Sequence, residues 1–358
     1  MLCFLRTRQA AVKFPLHKIL VVSPGRGAAI TIAYELPFSV LQADGFTWDF
    51  RLEGELNAGD LTGCTLLVLY RCRQARTIAL LRLARKRGIP VLYELDDDLL
   101  APPPDESWGQ LYREDFRRQI IETLLAEADL VKAGSPELAK RLKKRGFRAV
   151  YQPYPVKLLA LPVKKREETP LFRVGYLGTP HHRKDIEAIF PALLRIDEIF
   201  REQVQFEFIC CYPVGWSKLK RAVIHPCVHD YSGFLKKLAA LNWTVGLAPL
   251  HPTPFNEAKS DSKFRDYTAA GITGIYADLP PYRHTVRPGI NGWLAGNHPA
   301  EWVERISEAL MDKKREEKLA AAREQARRIN SPERAAAAWR GLYEKLKSKV
   351  SANDILSI

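Results

Sequence analysis

FNEAKSDSKFRDYTAAGITGIYAD, residues 255–278, decides how the rest of the chain is read. Close-set polar residues, Asn256, Lys259, Ser260, Asp261 and Lys263, lead into an amphipathic run (Phe264, Tyr267, Ala270), a glycine at 271 and the apolar stretch 272–277. That order predicts a loop entering a helix, then a tight turn and a buried strand. At a helix N-terminus the first-turn N–H groups lack partners and the dipole adds partial positive charge, so cations and hydroxyls gathered there hold an anion. Lys259 and Lys263 add full charges. Asp266 is placed in the first turn, where it can accept from sugar hydroxyls. The stretch therefore reads as a seat for a nucleoside diphosphate, with the acid on a ribose.

Upstream, two α/β units alternate. In the first, HKILVV (17–22) runs into the glycine turn SPGRG (23–27) and a helix over 28–41. Strands are predicted at 46–52, 64–70 and 90–95, with an amphipathic helix at 75–86. The glycine turn lacks the GxGxxG spacing, so a plain tight turn explains it as well as a ligand loop does. The strand VLYEL ends in Asp96, Asp97 and Asp98. In open parallel sheets the carboxyl ends of strands face the ligand, which places Asp96 and Asp97 where they can touch a substrate hydroxyl or move a proton. Asp98 reads as part of a solvated acidic turn. A helix at 114–128, a strand at 128–133 and a Ser-Pro helix start at 135–136 follow.

Residues 152–170 carry prolines at 153, 155, 162 and 170 and then KKREE, which marks an interdomain linker. The second unit opens with FRVGYLGTP, and His181, His182, Arg183 and Lys184 lead into a helix over 185–200, a second candidate phosphate loop. The two histidines lack a third ligand at suitable spacing, so a metal is set aside. Strands at 204–211 and 242–250, the opening stretch, helices at 301–311 and 314–329 and a long alanine-rich helix at 332–349 complete the chain.

The bulk numbers bound the reading. At 358 residues the chain suits two domains. A net charge of +14 fits nucleic acid, an anionic membrane or phosphorylated substrates. Nucleic acid ranks last, because the charge is spread and no recognisable module is present. The densest basic run, KRLKKRGFR (140–148), holds six cations and no acid; it reads as a solvated face, with anionic lipid as the sharper alternative. Six cysteines (3, 64, 72, 210, 211, 227) lack metal or CxxC spacing, so buried free thiols in a reducing cytosol are expected. Residues 1–14 are too short and too basic for a membrane span.

Three segments, VGYLGTPHHRKDIEAIFPALLRI (174–196), NWTVGLAPLHPTPFNEAKSDSKFRDYTAAGITGIYADLPPYRHTV (242–286) and GINGWLAGNHPAEWVERISEAL (289–310), resemble the donor-binding half of retaining GT-B glycosyltransferases of the group 1, or family four, type. The N-terminal half resembles it through VLYELDDDLL (91–100) and GSPELAKRL (134–142). The resemblance implies an α/β GT-B fold: two Rossmann-like domains whose parallel sheets face across a cleft. Residues 1–155 would be the acceptor domain and 156–331 the nucleotide-sugar domain, with the helix at 332–350 packing back on the first.

It also implies an enzyme that moves a sugar from a nucleotide-diphosphate sugar to a glycan, lipid-linked or other hydroxyl acceptor, with retention, in polysaccharide or glycoconjugate biosynthesis. The implied setting is cytoplasmic, with a peripheral contact at the inner membrane face. No metal or other cofactor is implied: cations and helix ends neutralise the leaving diphosphate, and although the run at 96–98 resembles the DxD metal signature of another sugar-transfer architecture, the two-domain pattern around it is the metal-free one. Residue by residue, Lys259, Lys263 and Asp97 become catalytic candidates. Gly178, Thr179, His182, Arg183, Lys184, Ser260, Asp261 and Asp266 become donor-binding candidates, and Gly25, Gly27 and Asp96 acceptor-binding candidates.

The chain departs from the family's E-x7-E pattern. Ala258 stands where the first acid belongs, Glu257 is one residue away, and the second acid is Asp266. Tyr176 replaces the usual arginine after the first strand of the donor domain. These departures motivate a catalytically impaired module that binds nucleotide-sugar or a partner; a nucleotide-sugar epimerase on the same architecture is the other alternative.

Overall fold

The computed structural model describes residues 17–103, 107–160 and 171–355. Its N-terminal half is built on a parallel sheet of β1 (His17–Ser23), β2 (Phe46–Leu52), β3 (Leu66–Tyr70), β4 (Val91–Leu95), β5 (Leu130–Ala133) and β6 (Ala149–Tyr151), in the order β2-β1-β3-β4-β5-β6. The C-terminal half is built on β7 (Phe172–Leu177), β8 (Val204–Ile209), β9 (Ala222–His225), β10 (Val245–Ala248), β11 (Thr273–Ala277) and β12 (Trp293–Ala295), in the order β12-β11-β10-β7-β8-β9. β3, β4 and β5 are buried along their whole length. Parallel strands covered by helices on both faces have no polar side, which is why they read as continuous apolar runs.

Residues 255–278 form the predicted helix, turn and strand. The helix Ser262–Ala270 ends on Gly271 at φ +80°, a left-handed position that favours a residue without Cβ, and β11 follows. The helix begins earlier than the sequence suggests, at Ser262 and not at the amphipathic run from Phe264. Asp266 is its fifth residue, in the second turn, so it does not face the anion-binding end as expected.

The edge strands β6 and β9 are absent from the sequence reading. The helix expected over 185–200 is two helices, Arg183–Ala188 and Phe190–Phe200. Pro191 has no N–H to continue the ladder across Ile189. Of the linker expected over 152–170, residues 161–170 lie outside the described residues, as do Cys3 and residues 1–16. The part from 152 to 160 is held in place: Val156 N–H donates to the Asn330 carbonyl at 2.8 Å, and Leu159 N–H donates to the Ala269 carbonyl at 3.2 Å.

The helix Pro332–Ile355 returns to the N-terminal half, where Trp339, Leu342, Tyr343 and Leu346 join the cluster of Tyr34, Phe38 and Leu41. Burying a tryptophan-sized ring contributes roughly 4–6 kcal/mol of transfer free energy, enough to hold such a helix in place.

The expectation of free thiols fails for one pair, because Cys210 and Cys227 form a disulfide. β8 and β9 are neighbours, and Cys210 N–H donates to the His225 carbonyl at 3.0 Å just beyond their ends. Without β9 in view, nothing in the sequence sets Cys227 beside Cys210. Cys64, Cys72 and Cys211 are free and buried. The cysteines therefore no longer argue for a reducing compartment. No described helix is long and apolar enough to cross a membrane.

Candidate functional site

Each sheet reverses its strand order once, and open α/β sheets bind ligands at the carboxyl ends of strands at such a point. In the N-terminal sheet the reversal lies between β1 and β3, whose ends carry the 23–27 turn and Arg71. In the C-terminal sheet it lies between β7 and β10, whose ends carry the 178–182 loop and the segment leading to Lys259. Both sets of ends meet at a cavity of about 240 Å³. Tyr70, Arg71, Asp96, Asp97 and Tyr154 line it from one half, and His182, Lys259, Ser260, Lys263 and Tyr282 from the other.

Lys263 occupies the first turn of its helix and is 5% exposed. Burial, with Lys259 adding to it, lowers its ammonium to about 8 against the pull of Asp185 and Asp266. Lys259 Nζ lies 3.5 Å from both ring nitrogens of His182 and 5.2 Å from the centre of the Phe255 ring. His182 Nδ1 is 2.8 Å from Asp185 Oδ2. Burial, then Lys263 and Lys259, hold the imidazole down at about 3, so it is neutral and Nδ1–H donates to Asp185. Burial pushes the Asp185 carboxyl up, but the bonds from His182 and from His251 N–H (2.7 Å) outweigh it and leave it below the usual range. Asn256 Nδ2 donates to the same Oδ1 at 3.2 Å. The C-terminal wall thus presents two lysines and a neutral imidazole fixed from behind by a carboxylate.

The opposite wall is acidic but pinned. Arg71 Nε donates to Asp96, and Nη2 donates to Asp97 Oδ2 at 2.6 Å. Tyr70 Oη donates to Asp96 Oδ2 at 2.6 Å. Burial raises the Asp97 carboxyl, and Arg71 opposes that rise. Arg71 itself takes φ +51°, a left-handed backbone that is uncommon outside glycine. Asp98 lies away from the cavity, 3.7 Å from Arg141.

Of the residues singled out in the sequence, the structure brings Asp96, Asp97, His182, Lys259, Ser260 and Lys263 to one cavity. The others stand off it. Gly25 and Gly27 are exposed in the turn before the helix that supplies Ala29 and Ile32. Gly178 and Thr179 precede His182 by four and three residues and do not reach the cavity; a Cβ at Gly178 would come within 2.8 Å of Tyr176 Oη, so glycine lets the loop fold over that ring. Arg183 and Lys184 are exposed on the next turn. Asp261 faces Arg265 (3.0 Å) and Thr285 (2.9 Å). Asp266 is buried in the wall and accepts from Tyr231 Oη at 2.8 Å.

Arg71, Tyr154, Asp185 and Tyr282 are missing from the sequence reading. Asp185 follows His182 by three residues, a helical spacing that could have flagged it; for Arg71 no local signal exists. Among the described residues, no three His, Cys, Asp or Glu side chains gather as metal ligands.

No protein-family model matches the chain, and no curated protein does. Solved structures match over nearly the whole length. Sucrose-phosphate synthase of Thermosynechococcus elongatus is 14% identical, with a TM-score of 0.67 over 93% of this chain and 100% of that one. HepE of Anabaena, in complex with UDP and glucose, is 14% identical, with a TM-score of 0.65 over 93% and 100%. An α,α-trehalose-phosphate synthase of Burkholderia vietnamiensis is 10% identical, with a TM-score of 0.63 over 94% and 99%. The fold is that of the GT-B glycosyltransferases.

Proposed function

We propose that this protein is a glycosyltransferase. It takes a sugar from a nucleoside-diphosphate sugar, with UDP as the nucleotide tested first, and passes it to a hydroxyl of a glycan or lipid-linked acceptor. One observation carries this reading: Lys259 and Lys263 stand on the C-terminal wall of a cavity whose other wall carries Asp96 and Asp97. Cations at a helix start suit a diphosphate, and carboxylates suit hydroxyls. UDP complexes among proteins of the same fold support the choice of nucleotide.

Transfer proceeds with retention in this reading. The acceptor oxygen attacks the anomeric carbon on the face the diphosphate leaves, the bond to phosphate breaks, and the leaving phosphate takes the hydroxyl proton. Lys259 and Lys263 stabilise the charge that develops on the leaving group, so no metal is required. Asp97 orients the acceptor hydroxyl. The sequence divides functionally near 155, with donor contacts beyond it and acceptor contacts before it.

The exposed cations Lys140, Lys143, Lys144, Arg145 and Arg148 give the acceptor half a peripheral contact with anionic lipid, at the inner face of the membrane in a polysaccharide pathway. Binding to vesicles containing phosphatidylglycerol, and none to phosphatidylcholine alone, is the expected result.

A second reading keeps the donor site without turnover. It is favoured by Ala258, which offers no carboxylate where the family pattern has one. Thermal stabilisation by UDP, GDP and ADP and their sugars separates the readings when paired with an assay for released nucleotide. Stabilisation without release on any acceptor favours the second reading. No stabilisation by any nucleotide, with Lys263→Ala indistinguishable from wild type, removes both.

A further inference from the structure

The cleft is bridged beside the site by two side chains of one helix, its cap and a residue of its last turn. Ser135 caps the helix Pro136–Lys144: its Oγ accepts from Leu138 N–H at 3.0 Å. The same hydroxyl donates across the cleft to the Ala258 carbonyl at 2.6 Å. Arg141 lies on that helix, in its last turn. It pairs with Glu137 at 3.2 Å, donates to the Pro254 carbonyl, and meets Glu257 Oε2 at 2.9 Å. Pro254 and Glu257 bound a single short helix of the C-terminal half. Ala258, which follows it, is fully buried and belongs to the apolar cluster of the N-terminal half, with Leu95 and Leu138. The next residue is Lys259.

We propose that Ser135 and Arg141 are positioning residues for Lys259: they seat segment 254–258 in the N-terminal half and so fix the lysine opposite Asp97. This rests on the reading of Lys259 as a diphosphate ligand. The seat also accounts for alanine at 258. A carboxylate there would enter an apolar cluster, whereas one residue earlier it meets a guanidinium, and an uncompensated buried charge is costly. Glu257 is thus a strut between the halves and not a sugar ligand.

The test compares wild type, Arg141→Ala, Arg141→Lys and Glu257→Gln by small-angle scattering of the free protein and by stopped-flow dissociation of UDP, with circular dichroism to verify folding. Arg141→Ala is expected to expand the scattering profile and speed UDP dissociation by about tenfold, because a misplaced cation loses its aligned contact. Arg141→Lys should fall between, having one charge but no fork. Glu257→Gln probes the same contact from the other half and serves if Arg141→Ala does not fold. An unchanged profile overturns the proposal, and so does an expanded profile with unchanged UDP dissociation. Lys259→Ala separates this from the underlying reading: if it leaves UDP affinity intact, Lys259 is not a diphosphate ligand, whatever the scattering reports on the strut.

Discussion

Tyr231 Oη lies 2.8 Å from Asp266 Oδ1, inside the wall between the helices Tyr231–Ala240 and Ser262–Ala270. Burial raises the Asp266 carboxyl, and the Tyr231 hydroxyl and Arg265 oppose that rise. A carboxylate so held is a packing group. Tyr231→Phe leaves it short of a partner and should cost about 1–3 kcal/mol of stability, while UDP affinity changes by less than about threefold. Denaturant unfolding and calorimetry check this. A large loss of UDP affinity with intact stability would return Asp266 to the ribose.

The helix, turn and strand at 255–278 are legible because period 3.6 gives way to an apolar run at a glycine, all within a few residues. Lys259 and Lys263 are legible as cations at a helix start for the same reason, and the cavity they line is where the sequence puts them. Asp266 is misplaced in the first turn because the helix starts at Ser262, two residues before the amphipathic run, which turns the side chain toward the neighbouring helix. Arg71 and the Cys210–Cys227 pair are illegible because their partners come from other strands, and β9 is too short and too exposed to carry a period of its own.

Lys263 should make diphosphate binding pH-dependent. Its folded-state value of about 8 means the free protein holds the charge below pH 8 and loses it above. An anion binds the protonated form, so affinity for UDP should be level near pH 7 and fall by up to about tenfold per pH unit above 8. Calorimetry across that range checks the slope. Lys263→Met should bind more weakly and lose the dependence.

The disulfide joins residues 17 apart in sequence. Closing a loop near that length restricts the unfolded chain by about 3 kcal/mol, or about 6–12 °C in melting temperature for a unit the size of the C-terminal half. Reduction of wild type should lower its melting temperature by that order, and Cys227→Ser should match reduced wild type and not respond to reductant. Peptide mapping without reductant should recover residues 210 and 227 in one cross-linked fragment. Two unlinked peptides would show the thiols to be free.

Arg71 holds both acids of the N-terminal wall while its own backbone sits at φ +51°. That backbone costs on the order of 1 kcal/mol for a residue with a Cβ, and glycine does not bear it. Arg71→Gly therefore separates the two effects. Relief of the backbone offsets part of the lost ion pairing in the stability balance, but the carboxylates of Asp96 and Asp97 are left side by side without their cation. Two neighbouring acids deprived of a shared positive charge cannot both ionise easily, so the pair should take up a proton at higher pH than in wild type. The expected result is a small change in melting temperature, UDP affinity within about threefold, and released-nucleotide turnover down by about a hundredfold, with its acid limb moved to higher pH. Turnover and pH profile equal to wild type would show that Arg71 serves the fold alone and that the two acids need no guanidinium to meet an acceptor.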